Sequence, residues 1–246
     1  ASWGLDAIWL MGVWERSPSS RKIAAEHPSL QEEYHRALPD YTPADISGSP
    51  YAIRSYEVDS YLGGRVELAA LRERLAARGL RLILDFVPNH TSHDCYWLTT
   101  HPEFYLHGTE TELAAQPDHF FRYVTNAGDV IFANGRDPYF PAWTDTAQLN
   151  PFSPQLRQHA IATLHDIAEQ CDGVRCDMAM LVTSEIVAQT WGERAGDPPE
   201  KNYWIEIIPA IKAQHPDFLF ISEVYWDLEW TLQQQGFDYT YDKRLY

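Results

Sequence analysis

Three apolar runs in this chain end in charged or amide side chains, and the pattern recurs in order. LRLILDFV (80–87) leads through Pro88 into Asn89 and His90, GVRCDM (173–178) carries Arg175 and Asp177, and FLFISEV (218–224) carries Glu223. Short apolar runs of this kind predict strands buried on both faces. Residues 5–11 (LDAIWLM) read as an earlier strand of the same type, and residues 237–240 as a later one. Helical spacing separates them. Residues 66–78 place Leu68, Leu71 and Leu75 on one face, and Gly79 marks the stop. Ser153 reads as an N-cap with Pro154 at the first helical position, and Leu156, Ala160, Leu164 and Ile167 as the buried face that follows. Further helical material spans 184–214, interrupted around 196–199. Alternating strands and helices predict an α/β fold with a parallel sheet. In such folds function collects at the C-terminal ends of the strands, where all three polar clusters lie.

Two segments break the alternation. Residues 15–50 read as a polar loop rich in Ser and Pro. Residues 88–152 are rich in His, aromatic and turn residues, with Asn134-Gly135 as a hairpin signal, and read as an inserted subdomain. The expected division is a barrel part at 1–87, the insertion at 88–152, and the continued barrel at 153–246.

Charge narrows the partners. A net charge of −16 disfavours a phosphate backbone and an acidic membrane surface, and leaves a neutral small molecule or polymer. Aromatic residues make up 13% of the chain, enough to stack on sugar rings as well as to pack a core. The three cysteines, Cys95, Cys171 and Cys176, lack the spacing of a zinc site or disulfide framework, so a reducing, cytoplasmic setting is the expectation. No apolar run is long enough to span a bilayer. The opening ASWGLDAIWL already looks like interior strand, so the natural chain is expected to begin earlier, and a secretion signal would lie in that part.

Residues two apart in a strand share a face, so Arg175 and Asp177 point the same way, and a buried charge needs such a partner. Asp177 and Glu223 close consecutive strands. Neighbouring strands lie about 4.8 Å apart, which allows a carboxylate separation of roughly 5–5.5 Å, that of a retaining glycosidase. Arg175 favours an ionised Asp177, and the apolar run before Glu223 favours its protonated form. Double displacement needs that asymmetry: Asp177 attacks the anomeric carbon, while Glu223 protonates the leaving oxygen and then activates water. Taken singly, Asp177 reads as a cap, Glu223 as the first solvated residue, His90 as a core histidine, Asn89 as a turn residue and Cys176 as packing. The ordered recurrence carries the functional reading.

DFVPNH (85–90), GVRCDMAM (173–180) and EVYW (223–226) resemble the first three signature regions of the α-amylase family of glycoside hydrolases, glycoside hydrolase family 13. QLN (148–150) resembles that family's short motif near the end of its inserted domain, and PYAIRSYEVDSYLGG (50–64) the segment after its second barrel strand. The resemblance implies a (β/α)8 TIM barrel with a domain inserted after the third strand, of which this chain covers roughly strands 2–6. It implies action on α-glucosidic bonds of starch-type glucans or malto-oligosaccharides. By motif match, Asp177 is the nucleophile, Glu223 the acid/base and Arg175 the support of the nucleophile. His90 contacts substrate, Asp85 orders the site floor and Tyr51 stacks on the sugar. No cofactor is required, and Asn89 is the candidate ligand for a calcium ion.

Departures qualify the match. Met180-Leu181 replaces a Lys-His pair common after the nucleophile, and Met178 fits no specificity class. The family's third carboxylate, in an Asn-His-Asp stretch, has no counterpart here. The chain therefore reads as a fragment with unpaired sheet edges, poorly stable and nearly inactive alone. A glucanotransferase sharing the covalent intermediate and a non-catalytic relative kept for binding are the alternatives.

Overall fold

The computed structural model describes residues 4–125 and 128–241. Strands β1 (Ala7–Trp9), β2 (Trp14–Arg16) and β3 (Ile53–Val58) precede β4 (Arg81–Phe86). Then come β5 (His90–Ser92), β6 (Phe120–Thr125), β7 (Gly128–Gly135) and β8 (Trp143–Gln148), followed by β9 (Gly173–Cys176), β10 (Leu219–Glu223) and β11 (Tyr239–Tyr241). The main sheet runs β1-β4-β9-β10-β11 with every adjacent pair parallel. It is half of a (β/α)8 barrel. Between β4 and β9 the chain builds a separate antiparallel sheet of order β5-β8-β7-β6.

Period-two alternation decides which side chains go where. Leu82, Leu84, Val174, Cys176 and Phe220 are fully buried and share a core with the helices behind the sheet. Those helices include α3 (Gly64–Ala76), α6 (Pro154–Ala168) and α8 (Tyr203–Lys212), which supply Leu68, Leu75, Leu164, Ile167, Ile207 and Ile211 to that core; between them in the chain come α4 (Trp97–Thr100), α5 (Glu110–Ala115) and α7 (Ser184–Trp191). α6 starts as its sequence predicts: the Ser153 side chain accepts from the Leu156 N–H at 3.3 Å, and Leu156, Ala160, Leu164 and Ile167 are all buried. The opposite face of the strands carries Asp85, Arg175 and Glu223.

Three expectations differ from the structure. β1 is shorter than 5–11 and is not buried on both faces; Trp9 is 42% exposed. The segment 15–50 holds two helices, α1 (Pro18–Glu26) and α2 (Pro28–Ala37). Ser17 caps α1 by accepting from the Ser20 N–H, with Pro18 at its start. α1 buries only Ser20 and α2 buries nothing, so neither leaves an apolar period to read. Asn134-Gly135 does lead into a hairpin, since β7 pairs antiparallel with β8, but the turn lies beyond the dipeptide. Both residues belong to β7, and Gly135 pairs with Trp143 after a register shift. Gly135 is needed for closeness: a Cβ there would lie 2.5 Å from Thr146 Oγ1. Among the described residues, no helix is long and apolar enough to cross a membrane.

Candidate active site

Strand register assembles the site. Asp85 on β4 pairs with Arg175 on β9, and Arg175 pairs with Ile221 on β10. Two residues further along, Asp177 and Glu223 follow on the same face. Glu223 in turn pairs with Tyr241 on β11. Arg175 gathers all of them. Its Nη1 donates to Asp177 Oδ1 at 2.7 Å and lies 3.4 Å from Asp85 Oδ1; its Nη2 lies 2.5 Å from Glu223 Oε2. Its Nε donates to the Tyr241 hydroxyl at 2.8 Å. The rings of Trp9 and Tyr51 each lie 5.0 Å from the guanidinium carbon. Arg175, Asp85 and Asp177 are buried, and such charges persist only when paired and hydrogen-bonded.

Each carboxylate has its own surroundings. Asp85 lies deepest, accepting from Trp9 Nε1 at 3.2 Å and from the Gly12 N–H at 3.3 Å. Burial pushes Asp85 up to about 6, with Arg175 pulling the other way. Burial likewise raises Asp177 to about 7; Arg175 opposes this and Glu223 reinforces it. The expected Arg175–Asp177 pair is therefore present, but burial outweighs it. Glu223 was expected beside apolar side chains. It instead forms an ion pair with Arg175 and accepts from the Met178 N–H at 3.0 Å and from the Tyr225 hydroxyl. Met178 adopts φ +42°, a left-handed conformation uncommon outside glycine. The chain bends there, directly after Asp177, and its N–H is the one that meets Glu223.

A cleft of about 920 Å³ opens above this cluster. Tyr51, His90, Asp177 and Glu223 line it, and the insertion adds Phe140 and Trp143. His90 is buried with its ring 5.1 Å from that of Trp143, and burial lowers its imidazole to about 4, so it is neutral at ordinary pH. The half-buried Tyr51 directs its hydroxyl to Met11 Sδ at 3.0 Å. Asn89 sits beside His90 but turns to the insertion. Gln148 Nε2 donates to both the Asn89 side-chain and backbone oxygens at 3.0 Å, and the Asn89 amide donates back to Gln148 Oε1 at 3.3 Å. Among the described residues no group of three or more His, Cys, Asp and Glu could hold a metal ion. The Asn89 side-chain oxygen, the candidate calcium ligand, is engaged here by Gln148.

The structure brings Asp85, His90, Arg175, Asp177, Glu223 and Tyr51 together. It adds Trp9, Tyr225, Tyr241 and the Met178 N–H, which the sequence reading did not single out. Tyr225 belongs to the EVYW motif at 223–226. Trp9 and Tyr241 become legible only once the register of β1 and β11 against their neighbours is known.

Charged groups converging at the C-terminal ends of parallel strands, beneath a cleft roofed by an insertion, are the plan of a (β/α)8-barrel catalytic domain. The chain belongs to the α-amylase family, whose model "Alpha amylase, catalytic domain" matches residues 1–243. "Alpha-amylase MalA" of Haloarcula japonica is 26% identical over 225 residues, 90% of this chain and 24% of that protein. Among solved structures, an α-amylase from Lactobacillus plantarum aligns at a TM-score of 0.58 with 24% identity, covering 94% of this chain and 41% of that one. The noncanonic maltogenic α-amylase AmyB from Thermotoga neapolitana aligns at 0.57 with 22% identity, covering 97% and 41%. An α-amylase from Geobacillus thermoleovorans, solved complexed with acarbose, aligns at 0.54 with 19% identity, covering 96% and 41%. The chain thus spans about a quarter of the curated relative and about two fifths of these structural ones.

Proposed function

We propose that this chain is the part of a retaining α-glucan-active glycosidase that supplies both the nucleophile and the acid/base. The observation that carries the reading is the shared guanidinium: Asp177 and Glu223, from adjacent strand ends, meet the two terminal nitrogens of Arg175 at the floor of one cleft. Asp177 attacks the anomeric carbon, and Glu223 protonates the departing oxygen. Glu223 then takes a proton from the water that releases the sugar. Arg175 holds the attacking carboxylate in place. His90, neutral and buried, hydrogen-bonds sugar hydroxyls, and the Tyr51 ring stacks on the sugar face. Asp85 braces Arg175 from below. Residues 88–152 act as the inserted domain that roofs the cleft, between barrel parts at 1–87 and 153–246. No step is assigned to a metal ion.

The substrate class follows from the family together with the aromatic-lined cleft, whose rings suit sugar faces: starch-type glucans and malto-oligosaccharides. Water or a second sugar can resolve the same covalent intermediate, and products longer than the substrate distinguish transfer from hydrolysis. The test uses the full-length protein on malto-oligosaccharides. Asp177→Asn is expected to abolish turnover, a loss of about 10⁴-fold or more, because no group remains to form the intermediate. Glu223→Gln is expected to fail on natural glucans but to retain activity on substrates whose leaving group needs no proton. Turnover surviving in Asp177→Asn contradicts the reading.

A further inference from the structure

We propose that Tyr241 is a positioning residue for Arg175, its phenol fixing the plane of the guanidinium so that one fork serves both Asp177 and Glu223. The proposal rests on the roles given above to those two carboxylates. A guanidinium is a rigid planar fork with five N–H donors. Here Nη1 and Nη2 are engaged by acids at the ends of two different strands. A fork held at its two tips still rocks about the line that joins them. A third anchor in the plane removes that freedom, and Nε donating to the Tyr241 hydroxyl at 2.8 Å is such an anchor.

The anchor comes from the right place. β11 lies next to β10, and Tyr241 stands in register with Glu223. Its backbone is fixed as well, since the Tyr241 carbonyl accepts from the Val224 N–H at 3.1 Å. The chemistry also suits the position. Arg175 already faces Asp85 from β4, Asp177 beyond β9 and Glu223 from β10, with Tyr51 and Trp9 supplying rings at 5.0 Å. A fourth carboxylate would draw the cation away from Asp177. A phenol accepts the Nε hydrogen while staying neutral, because burial raises its pKa further.

Without the hydroxyl, the guanidinium tilts and its contact with Asp177 lengthens. Burial then favours the protonated carboxyl more strongly, and the acid limb of activity moves to higher pH. A merely structural link between β10 and β11 would change the amount of folded protein and leave that limb in place.

The experiment is Tyr241→Phe in the full-length protein, which removes one oxygen and keeps the ring. The expected result is a fall in kcat of about tenfold or more, as for loss of a hydrogen bond to a charged group, with KM nearly unchanged. The acid limb of kcat/KM should move upward in pH. In an Arg175→Lys background, which has no Nε–H, adding Tyr241→Phe should change little. Where Arg175→Lys is too slow to assay, the pH profile alone decides. Wild-type kcat and an unmoved acid limb in Tyr241→Phe would overturn the proposal, as would the same loss in both backgrounds. A silent Tyr241→Phe beside an inactive Asp177→Asn overturns this proposal alone. An active Asp177→Asn overturns the site reading beneath it.

Discussion

Asp177 is a carboxylate placed where burial resists its ionisation, and that placement has measurable consequences. Its folded pKa of about 7 lies above the ordinary value of 3.8. Between those values the folded state binds a proton that the unfolded state does not. Stability is therefore greatest below the ordinary pKa and falls as pH rises through the folded one. Asp177→Asn, while inactive, should then be more thermally stable than the parent at pH 8, and the advantage should vanish towards pH 4. For a domain of this size each kcal/mol gained raises Tm by roughly 2–4 °C. Thermal unfolding of the full-length protein at the two pH values checks this, and an equal or lower Tm at pH 8 counts against it. The acid limb of wild-type kcat/KM should likewise fall near pH 7, without a contribution from His90, which titrates near 4. The Arg175–Asp177 pair was legible in the sequence because residues two apart in extended chain share a face, and that alternation carries one residue past the end of β9 to Asp177. The Arg175–Glu223 contact was not, because it depends on the register of β9 against β10, which joins residues about fifty positions apart. For the same reason sequence reasoning gave Glu223 an apolar setting, when its neighbours across the sheet supply donors.

At the scale of elements, helices and strands with a strong apolar period were readable, and those without one were not. α6 declares itself through Ser153-Pro154 and four buried positions. α2 buries no residue and has no side-chain cap, so only Pro28 at its first position could have revealed it. Asn134-Gly135 shows how a local signal can be overridden. The dipeptide favours a tight turn, but tertiary contacts hold both residues in β7. Asn134 donates to the Asp118 carbonyl at 2.8 Å and its amide oxygen meets His93 Nε2 at 2.8 Å. Gly135 is retained for space, since a Cβ would meet Thr146 Oγ1 at 2.5 Å and His90 Cβ at 3.1 Å. Gly135→Ala should destabilise the protein by about 1–3 kcal/mol, the usual cost of overpacking. It should also weaken substrate binding through the shift it forces on His90. Denaturant unfolding and KM together test this; wild-type values for both would show that the β7–β8 junction has more slack than its geometry indicates.

Across the whole molecule, one sheet gathers the charges and a second roofs them. The main sheet supplies Asp85, Arg175 and Glu223 from three strands, with Asp177 just beyond β9. The insertion supplies Phe140 and Trp143 and is tied to the exit of β4 through Gln148 and Asn89. The central claim is that a sugar becomes covalently attached to Asp177 during turnover. The direct measurement is to quench the full-length protein with a fluorinated α-glucosyl fluoride whose release from the enzyme is slow, digest it, and locate the added mass among the peptides. One glycosyl group is expected on the peptide containing Asp177, absent in Asp177→Asn. A label on Glu223, or none while the compound is turned over, would contradict it.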